Sequence, residues 1–167
     1  MKPDIYVVES IGSGFLAVMA KPVSGEYIED EFSGISREGI KQIVSLLELQ
    51  ESYEVGLQNE KALSEKNEME FISFPIKDRG LPKLVNEFSQ FTLKLYQQIA
   101  GGKNTVIHCR AGIGRTGLVA AGVLLHCGFN PKDAFDLISQ KRKVQVPDTE
   151  EQINWLVLNH NEIIKVT

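Results

Sequence analysis

Short apolar runs alternate with longer stretches of helical periodicity along this chain. Apolar runs and alternating positions predict strands at residues 5–8, 15–19, 42–48, 69–76 and 105–107. Apolar residues at helical spacing predict helices at 33–41, 51–67, 82–100, 118–125, 131–143 and from Asp148 or Thr149 to Ile163. Strands that alternate with helices predict an α/β domain with a central, mostly parallel sheet flanked by helices.

Local signals define turns and helix ends within this pattern. The Gly-Ser-Gly segment at 12–14 predicts a hairpin between the first two strands. Asn130 before Pro131 predicts a helix start, because asparagine caps free N–H groups and proline suits the first helical position. The chain has no repeat and no linker-like change of composition. We therefore interpret residues 1–167 as a single domain.

The segment with the most chemical content is His-Cys-Arg-Ala-Gly-Ile-Gly-Arg-Thr-Gly at residues 108–117. It joins the strand at 105–107 to an apolar helix. A strand, a glycine-rich turn and a helix start together form an anion cradle, because backbone N–H groups converge there and the helix dipole favours negative charge. The predicted phosphate-binding residues are Arg110, Ala111, Gly112, Ile113, Gly114 and Arg115.

Two side chains of this segment suit covalent phosphoryl transfer. The cradle should stabilise the thiolate of Cys109, which would then be a strong nucleophile. Arg115 can offer a planar guanidinium to two phosphate oxygens. A nucleotide-binding P-loop is the competing interpretation, but it requires lysine where this chain has Arg115. A sulfurtransferase loop does not call for the flanking His108 or for the Arg-Thr-Gly at its end.

Composition and charge limit the partners and the cellular compartment that we expect for this protein. The net charge of −4 disfavours nucleic acid and anionic membranes as partners. No apolar run approaches the length of a membrane span, and the faint likeness of the N-terminus to a signal peptide is interrupted by Pro3, Asp4 and Glu9. The two cysteines do not make a disulfide framework, and an activated thiolate suits a reducing compartment. We therefore expect a cytoplasmic protein, and a monomer.

The fixed positions of residues 108–117 resemble the signature His-Cys-five residues-Arg-Ser/Thr-Gly of the cysteine-dependent protein tyrosine phosphatases. From about Glu38 to the C-terminus the patterning is similar to the atypical dual-specificity phosphatases, and most similar to the kinase-associated phosphatase (cyclin-dependent kinase inhibitor 3-like) branch. The resemblance implies a dual-specificity phosphatase fold and a phosphocysteine intermediate. It implies no cofactor and no metal, since Arg115 and the loop would supply the positive field.

The resemblance also implies roles for individual residues. A Pro-hydrophobic-x-Asp loop precedes the cysteine in this family, which makes Asp78 the candidate general acid. The alternatives are that Asp78 only forms a turn or caps a helix beginning at Pro82, in which case the acid would be Asp148 or Glu150. Thr116 would assist departure of the Cys109 thiolate.

Several assignments stay open at this stage. His108 is either a support for the thiolate or a structural histidine. Cys127 is interpreted as a small core residue rather than a redox partner. A glutamine that positions the hydrolytic water could be Gln145 or Gln152, and we assign neither. Lys77, Arg79, Arg110 and Arg115 are expected to make the mouth of the site basic.

The expected substrate is a phosphorylated protein or peptide, with phosphotyrosine and also phosphoserine or phosphothreonine as targets. Phosphoinositides or inositol phosphates are an alternative, weakened because related lipid phosphatases often carry two lysines where this chain has Arg110 and Ile113. A non-catalytic phosphoprotein-binding module is a further alternative. It would need no combination of Cys109, Arg115 and Asp78.

Overall fold

The computed structural model of the chain describes residues 2–165. Its centre is a five-stranded sheet with the strand order β1-β2-β5-β3-β4. The strands are β1 Tyr6–Ile11, β2 Gly14–Met19, β3 Gln42–Ser45, β4 Glu70–Ser73 and β5 Thr105–His108. β1 pairs with β2 in antiparallel fashion, whereas the three other pairings are parallel. The predicted α/β fold with a mostly parallel sheet is therefore confirmed.

Between residues 2 and 165, seven helices cover the two faces of this sheet. They are α1 Ile28–Arg37, α2 Leu49–Glu54, α3 Glu60–Lys66, α4 Val85–Ala100, α5 Gly114–His126, α6 Pro131–Arg142 and α7 Glu150–Ile164. Alternate residues of each strand point to opposite faces. Val106 accordingly packs with Phe32 and Ile35 of α1, whereas Ile107 packs with the core formed by α4 to α7. The sheet thus separates two apolar layers.

β5 lies in the middle of the sheet, between β2 and β3. Its last residue, His108, is level with Met19 of β2 and Ser45 of β3. Ligands of open α/β sheets bind beyond the carboxyl ends of parallel strands. The chain therefore delivers Cys109 to the place where such a sheet binds ligands.

The predicted hairpin and helix caps are confirmed. Gly12 and Ser13 form the turn between β1 and β2. The side chain of Asn130 accepts a hydrogen bond from the N–H group of Asp133, and Thr149 caps α7 through a reciprocal capping box with Gln152. Of the two caps considered for the last helix, the structure selects Thr149.

Several predicted boundaries are wrong. The region 51–67, expected as one surface helix, forms α2 and α3, because the chain turns at Gly56 with φ +75°. α1 begins at Ile28 rather than at residue 33, and three acidic residues in its first turn suit a helix N-terminus. α4 begins at Val85 rather than at Pro82. No helix within residues 2–165 is both long and apolar enough to cross a membrane.

Candidate active site

The loop between β5 and α5 runs from Cys109 to Ile113. Cys109 is 3% exposed. Gly112 adopts φ +74°, and a Cβ atom there would lie 2.4 Å from the carbonyl oxygen of Met19. A Cβ atom at Gly114 would lie 2.7 Å from the Cβ atom of Asp148. Both positions need glycine because neighbouring backbone and side-chain atoms leave no room for a side chain.

Successive carbonyl groups of the loop are hydrogen-bonded from outside. The carbonyl oxygen of Cys109 accepts from Nδ1 of His108 at 2.9 Å, and that of Arg110 accepts from the N–H group of Lys21 at 3.0 Å. The N–H groups of Ala111, Gly112 and Ile113 make no hydrogen bond to any residue in the range 2–165. Unpaired N–H groups in a turn are the donors that an anion requires.

Arg115 is the most restrained side chain of the site. It is 1% exposed, and its two terminal nitrogens each donate to one carboxylate oxygen of Glu51 at 2.8 Å. Nη1 also donates to the carbonyl oxygen of Ile76 at 2.9 Å, and Nη2 donates to Asp78 at 3.1 Å. Glu51 therefore occupies the terminal Nη1/Nη2 edge of the guanidinium. The Nε–H group has no partner among the described residues, so a ligand can take the Nε/Nη2 edge once Asp78 leaves Nη2.

The ion pair between Glu51 and Arg115 shifts the pKa of both groups. Burial alone would lower the pKa of Arg115, but the hydrogen bonds that it donates to Glu51 and the negative charges of Cys109, Glu51 and Asp78 outweigh burial and raise it. The hydrogen bonds that Arg115 donates hold the pKa of Glu51 below its ordinary value despite desolvation. Both groups are consequently charged at neutral pH.

Asp78 lies in a tight turn that follows β4. The N–H group of Gly80 donates to the carbonyl oxygen of Lys77 at 2.7 Å, and the carboxylate of Asp78 remains 58% exposed. The turn expected for Asp78 is present, but the helix cap is not, because α4 begins seven residues later. The same carboxylate contacts Arg115. The structure thus brings Asp78 into contact with Arg115, two residues beyond the loop that carries Cys109.

The Asp78 turn is held at both of its ends. The N–H group of Ile76 donates to the carbonyl oxygen of Leu46 at 3.0 Å. At the other end, the side-chain amide of Gln152 donates to the carbonyl oxygen of Gly80 at 3.2 Å. Gln152 is fully buried beside the start of α5, whereas Gln145 is exposed. Of the two glutamines left open by the sequence, Gln152 alone is tied to the Asp78 turn.

His108 and Thr116 lie beneath the loop. Nε2 of His108 shares a hydrogen bond of 2.6 Å with a carboxylate oxygen of Glu60, and both side chains are buried. His108 therefore links the carbonyl group of Cys109 to an acid on α3. The hydroxyl of Thr116 is buried and has no hydrogen-bond partner among residues 2–165. Because it is unpaired, this hydroxyl can form a hydrogen bond with a group that enters the site during the reaction.

Of the four basic side chains expected at the mouth, Arg79, Arg110 and Arg115 are paired with acidic side chains. Arg110 turns back toward α2, where it meets Glu51 at 3.3 Å and Glu54 at 3.5 Å. Arg79 pairs with Asp148 at 3.3 Å. Lys77 makes no ion pair within the part of the chain that the structure describes. Acidic partners thus offset much of the positive charge that the sequence places here.

Cys127 is not the core residue that the sequence suggested. It forms the C-cap of α5, at the opposite end of that helix from the loop, and is exposed. Its sulfur is partly enclosed, and this desolvation together with the carboxylate of Glu9 raises the pKa of the thiol to about 11. The apolar run before Cys127 belongs to the buried helix, which is why the sequence misplaced the residue.

Three residues that hold the site together were not predicted from the sequence. Glu51 and Glu60 lie in a stretch that looked like a solvated helix, and each is buried against a residue of the signature segment. Arg142, at the end of α6, donates to loop carbonyl groups. Glutamate is almost never buried without a partner, and the partners of Glu51 and Glu60 lie far along the chain, so no local signal could have found them.

No group of three or more His, Cys, Asp or Glu side chains suited to a metal ion occurs within residues 2–165.

Comparison with known proteins gives consistent matches. The chain is 33% identical over 99 residues to "Putative tyrosine phosphatase 197R" of Invertebrate iridescent virus 6, an alignment that covers 54% of this chain and 34% of that protein. It is 31% identical over 86 residues to protein tyrosine phosphatase type IVA 2 of Mus musculus, covering 50% of this chain and 51% of the relative. The chain thus spans a third to a half of the length of these relatives.

The fold matches solved structures over its whole length. A kinase-associated phosphatase structure superposes with a TM-score of 0.87 at 21% identity, covering 100% of this chain and 98% of that chain. The active form of Tk-PTP superposes with a TM-score of 0.76 at 25% identity, covering both chains completely. The family model described as "Swiss Army Knife protein, DSP-PTPase phosphatase domain" matches residues 6–163. The chain therefore belongs to the dual-specificity-type phosphatase domains of the protein tyrosine phosphatase superfamily.

Proposed function

We propose that this protein hydrolyses phosphate monoesters on proteins, with phosphotyrosine and also phosphoserine or phosphothreonine as substrates, through a phosphocysteine at Cys109. The observation that carries the proposal is the juxtaposition of three groups within a phosphatase-family fold. They are the buried Cys109, the Nε–H group of Arg115, which is unpaired within residues 2–165, and the carboxylate of Asp78 in contact with that arginine.

Substrate binding comes first. The phosphate dianion enters the cradle of loop N–H groups and takes the Nε/Nη2 edge of Arg115. This displaces the carboxylate of Asp78 from Nη2, where it rests at 3.1 Å. The released carboxylate takes up a proton from solvent and lies beside the leaving oxygen. Glu51 keeps the guanidinium plane fixed while Asp78 moves.

The reaction then proceeds in two displacements. The thiolate of Cys109 attacks phosphorus, the bond to the ester oxygen breaks, and Asp78 donates its proton to that oxygen. Water next attacks the phosphocysteine and gives a proton to Asp78, and the sulfur leaves as a thiolate. The unpaired hydroxyl of Thr116 donates a hydrogen bond to the departing sulfur. Products are the dephosphorylated protein and inorganic phosphate.

The cellular compartment that we propose for this activity follows from the thiol of Cys109. Cys109 must stay reduced to act as a nucleophile, which fits a cytoplasmic protein. The two apolar layers share one sheet and fit a single catalytic domain. We propose that this domain acts on phosphoproteins as a monomer and without nucleic acid, metal or cofactor.

The test is a substrate panel with matched cysteine variants. Wild type, Cys109→Ser and Cys127→Ser are assayed with a chelator present on an aryl phosphate, phosphotyrosine and phosphoserine peptides, and phosphoinositides. We expect turnover of the aryl phosphate and the peptides by wild type and Cys127→Ser, and none by Cys109→Ser. Substantial hydrolysis by Cys109→Ser would exclude the covalent mechanism. Turnover confined to phosphoinositides would exclude a protein substrate.

A further inference from the structure

The orientation of the loop peptides depends on what holds their carbonyl groups. In a trans peptide the C=O and N–H groups point in opposite directions. A peptide whose carbonyl oxygen is bonded from outside the loop therefore turns its N–H group toward the inside. This relation makes the outer hydrogen bonds part of the anion cradle, although none of them can touch the anion.

Arg142 supplies two of these outer hydrogen bonds. Its Nη2 donates to the carbonyl oxygen of Ala111 at 3.0 Å, and its Nε lies 3.4 Å from that of Gly112. These carbonyl groups share their peptides with the N–H groups of Gly112 and Ile113, two of the unpaired donors of the cradle. A cation that polarises the oxygen of a peptide also strengthens its N–H group as a donor.

The guanidinium of Arg142 is itself held in place. Its carbon lies 4.5 Å from the centre of the Tyr6 ring on β1, a distance typical of a cation–π contact. Arg142 is the last residue of α6, and the chain leaves that helix through Lys143 in a left-handed conformation. Arg142 thus connects β1, at the antiparallel edge of the sheet, and the end of α6 to the loop.

We propose that Arg142 is a positioning residue for oxyanion binding: it fixes the peptides of Ala111 and Gly112 so that the cradle is formed before the phosphate arrives. The proposal rests on the proposed phosphatase function only for its effect on turnover. Its effect on anion affinity can be measured without any reaction. Lysine cannot replace Arg142 fully, because an ammonium group lacks the planar fork that reaches two carbonyl groups at once.

The experiment measures tungstate affinity by calorimetry in proteins that also carry Cys109→Ser, well below their unfolding temperatures. Arg142→Ala should bind tungstate roughly tenfold more weakly, by analogy with residues that position metal ligands, and Arg142→Lys should fall between. Lys141→Ala is the matched control, since Lys141 is an exposed cation of the same helix end. It should bind as the parent does.

A second measurement separates positioning from general loosening of the fold. With Cys109 intact, the rates of alkylation by anionic iodoacetate and by neutral iodoacetamide are compared. A cradle that has lost aligned donors should lose its preference for the anionic reagent. The ratio of the iodoacetate rate to the iodoacetamide rate should therefore fall in Arg142→Ala and not in Lys141→Ala. An unchanged ratio together with unchanged tungstate affinity would overturn the proposal. Absence of turnover in the wild type would instead contradict the proposed function.

Discussion

Replacing Glu51 by glutamine tests whether the buried ion pair with Arg115 organises the site. Glu51 accepts a hydrogen bond of 2.8 Å from each terminal nitrogen of Arg115. The side chain of Glu51 is 8% exposed and that of Arg115 is 1% exposed. Glutamine has nearly the same shape, but it loses the negative charge and can accept only one of the two hydrogen bonds. Its amide nitrogen would face a guanidinium N–H group.

The magnitude follows from the burial of the pair. Removing one partner of a buried ion pair costs about 3–5 kcal/mol, because the other charge is left uncompensated. Asp78 and the carbonyl group of Ile76 still contact Arg115 in the variant, which favours the lower end. A loss of about 3 kcal/mol in a domain of this size lowers the unfolding temperature by about 6–12 °C.

The assay is thermal unfolding followed by circular dichroism, with Glu54→Gln as control. Glu54 lies on the same helix but is exposed, and within residues 2–165 it pairs only with Arg110, so its replacement should have little effect. Turnover should fall about 100-fold in Glu51→Gln, since a small misplacement of a catalytic group costs that much. Equal unfolding temperatures and rates for the two variants would refute the view that Glu51 fixes Arg115.

The same pair gives a pH dependence with a definite sign. Hydrogen bonds from Arg115 hold the pKa of Glu51 in the folded protein below 4.5, its ordinary value. The stabilisation by Glu51 is therefore complete above that value and is lost as pH falls through the lower pKa of the folded state. The difference in stability between wild type and Glu51→Gln should shrink below about pH 4.5. Denaturant titrations at a series of pH values measure it, and a difference that grows on acidification would contradict the assignment.

Three further substitutions probe the remaining groups. Asp78→Ala should lower turnover by about 10²–10⁴-fold, the usual contribution of a general acid. The loss should shrink for aryl phosphates with good leaving groups, and steady-state rates over a series of aryl phosphates with different phenol leaving groups measure this. Arg115→Lys should lose about 100-fold or more in turnover, because an ammonium group cannot replace a planar donor; near-normal rates would reduce Arg115 to a structural residue. Glu60→Gln should destabilise the fold by about 1–3 kcal/mol, the cost of weakening a buried hydrogen bond, with denaturant unfolding as the measure; no change would mean that His108 does not need its carboxylate partner.

The sequence predicted the centre of the molecule better than its surroundings. The segment 108–117 carries its own turn and helix start, so its local structure followed from a few residue types. The hairpin at 12–14 and the cap at Asn130 were predictable for the same reason. Each of these features depends on hydrogen bonds between residues that are close in the chain.

Contacts between distant residues could not be predicted in this way. Glu51 is buried because Arg115, 64 positions later, provides a partner, and nothing near Glu51 in the sequence signals that burial. Arg142 looked like one of several basic residues at a helix end. Its role depends on α6 ending against the loop, which is a property of the packed fold. Likewise, the exposure of Cys127 depends on where α5 ends relative to its neighbours.

The placement of Cys127 bears on how Cys109 recovers from oxidation. α5 spans 13 residues, which separates its ends by about 20 Å, whereas a disulfide requires Cα atoms within about 7 Å. The chain has only these two cysteines. A sulfenic acid formed at Cys109 therefore has no resolving thiol within residues 1–167, so its return to the active state depends on a small thiol or a reductase supplied from outside these residues.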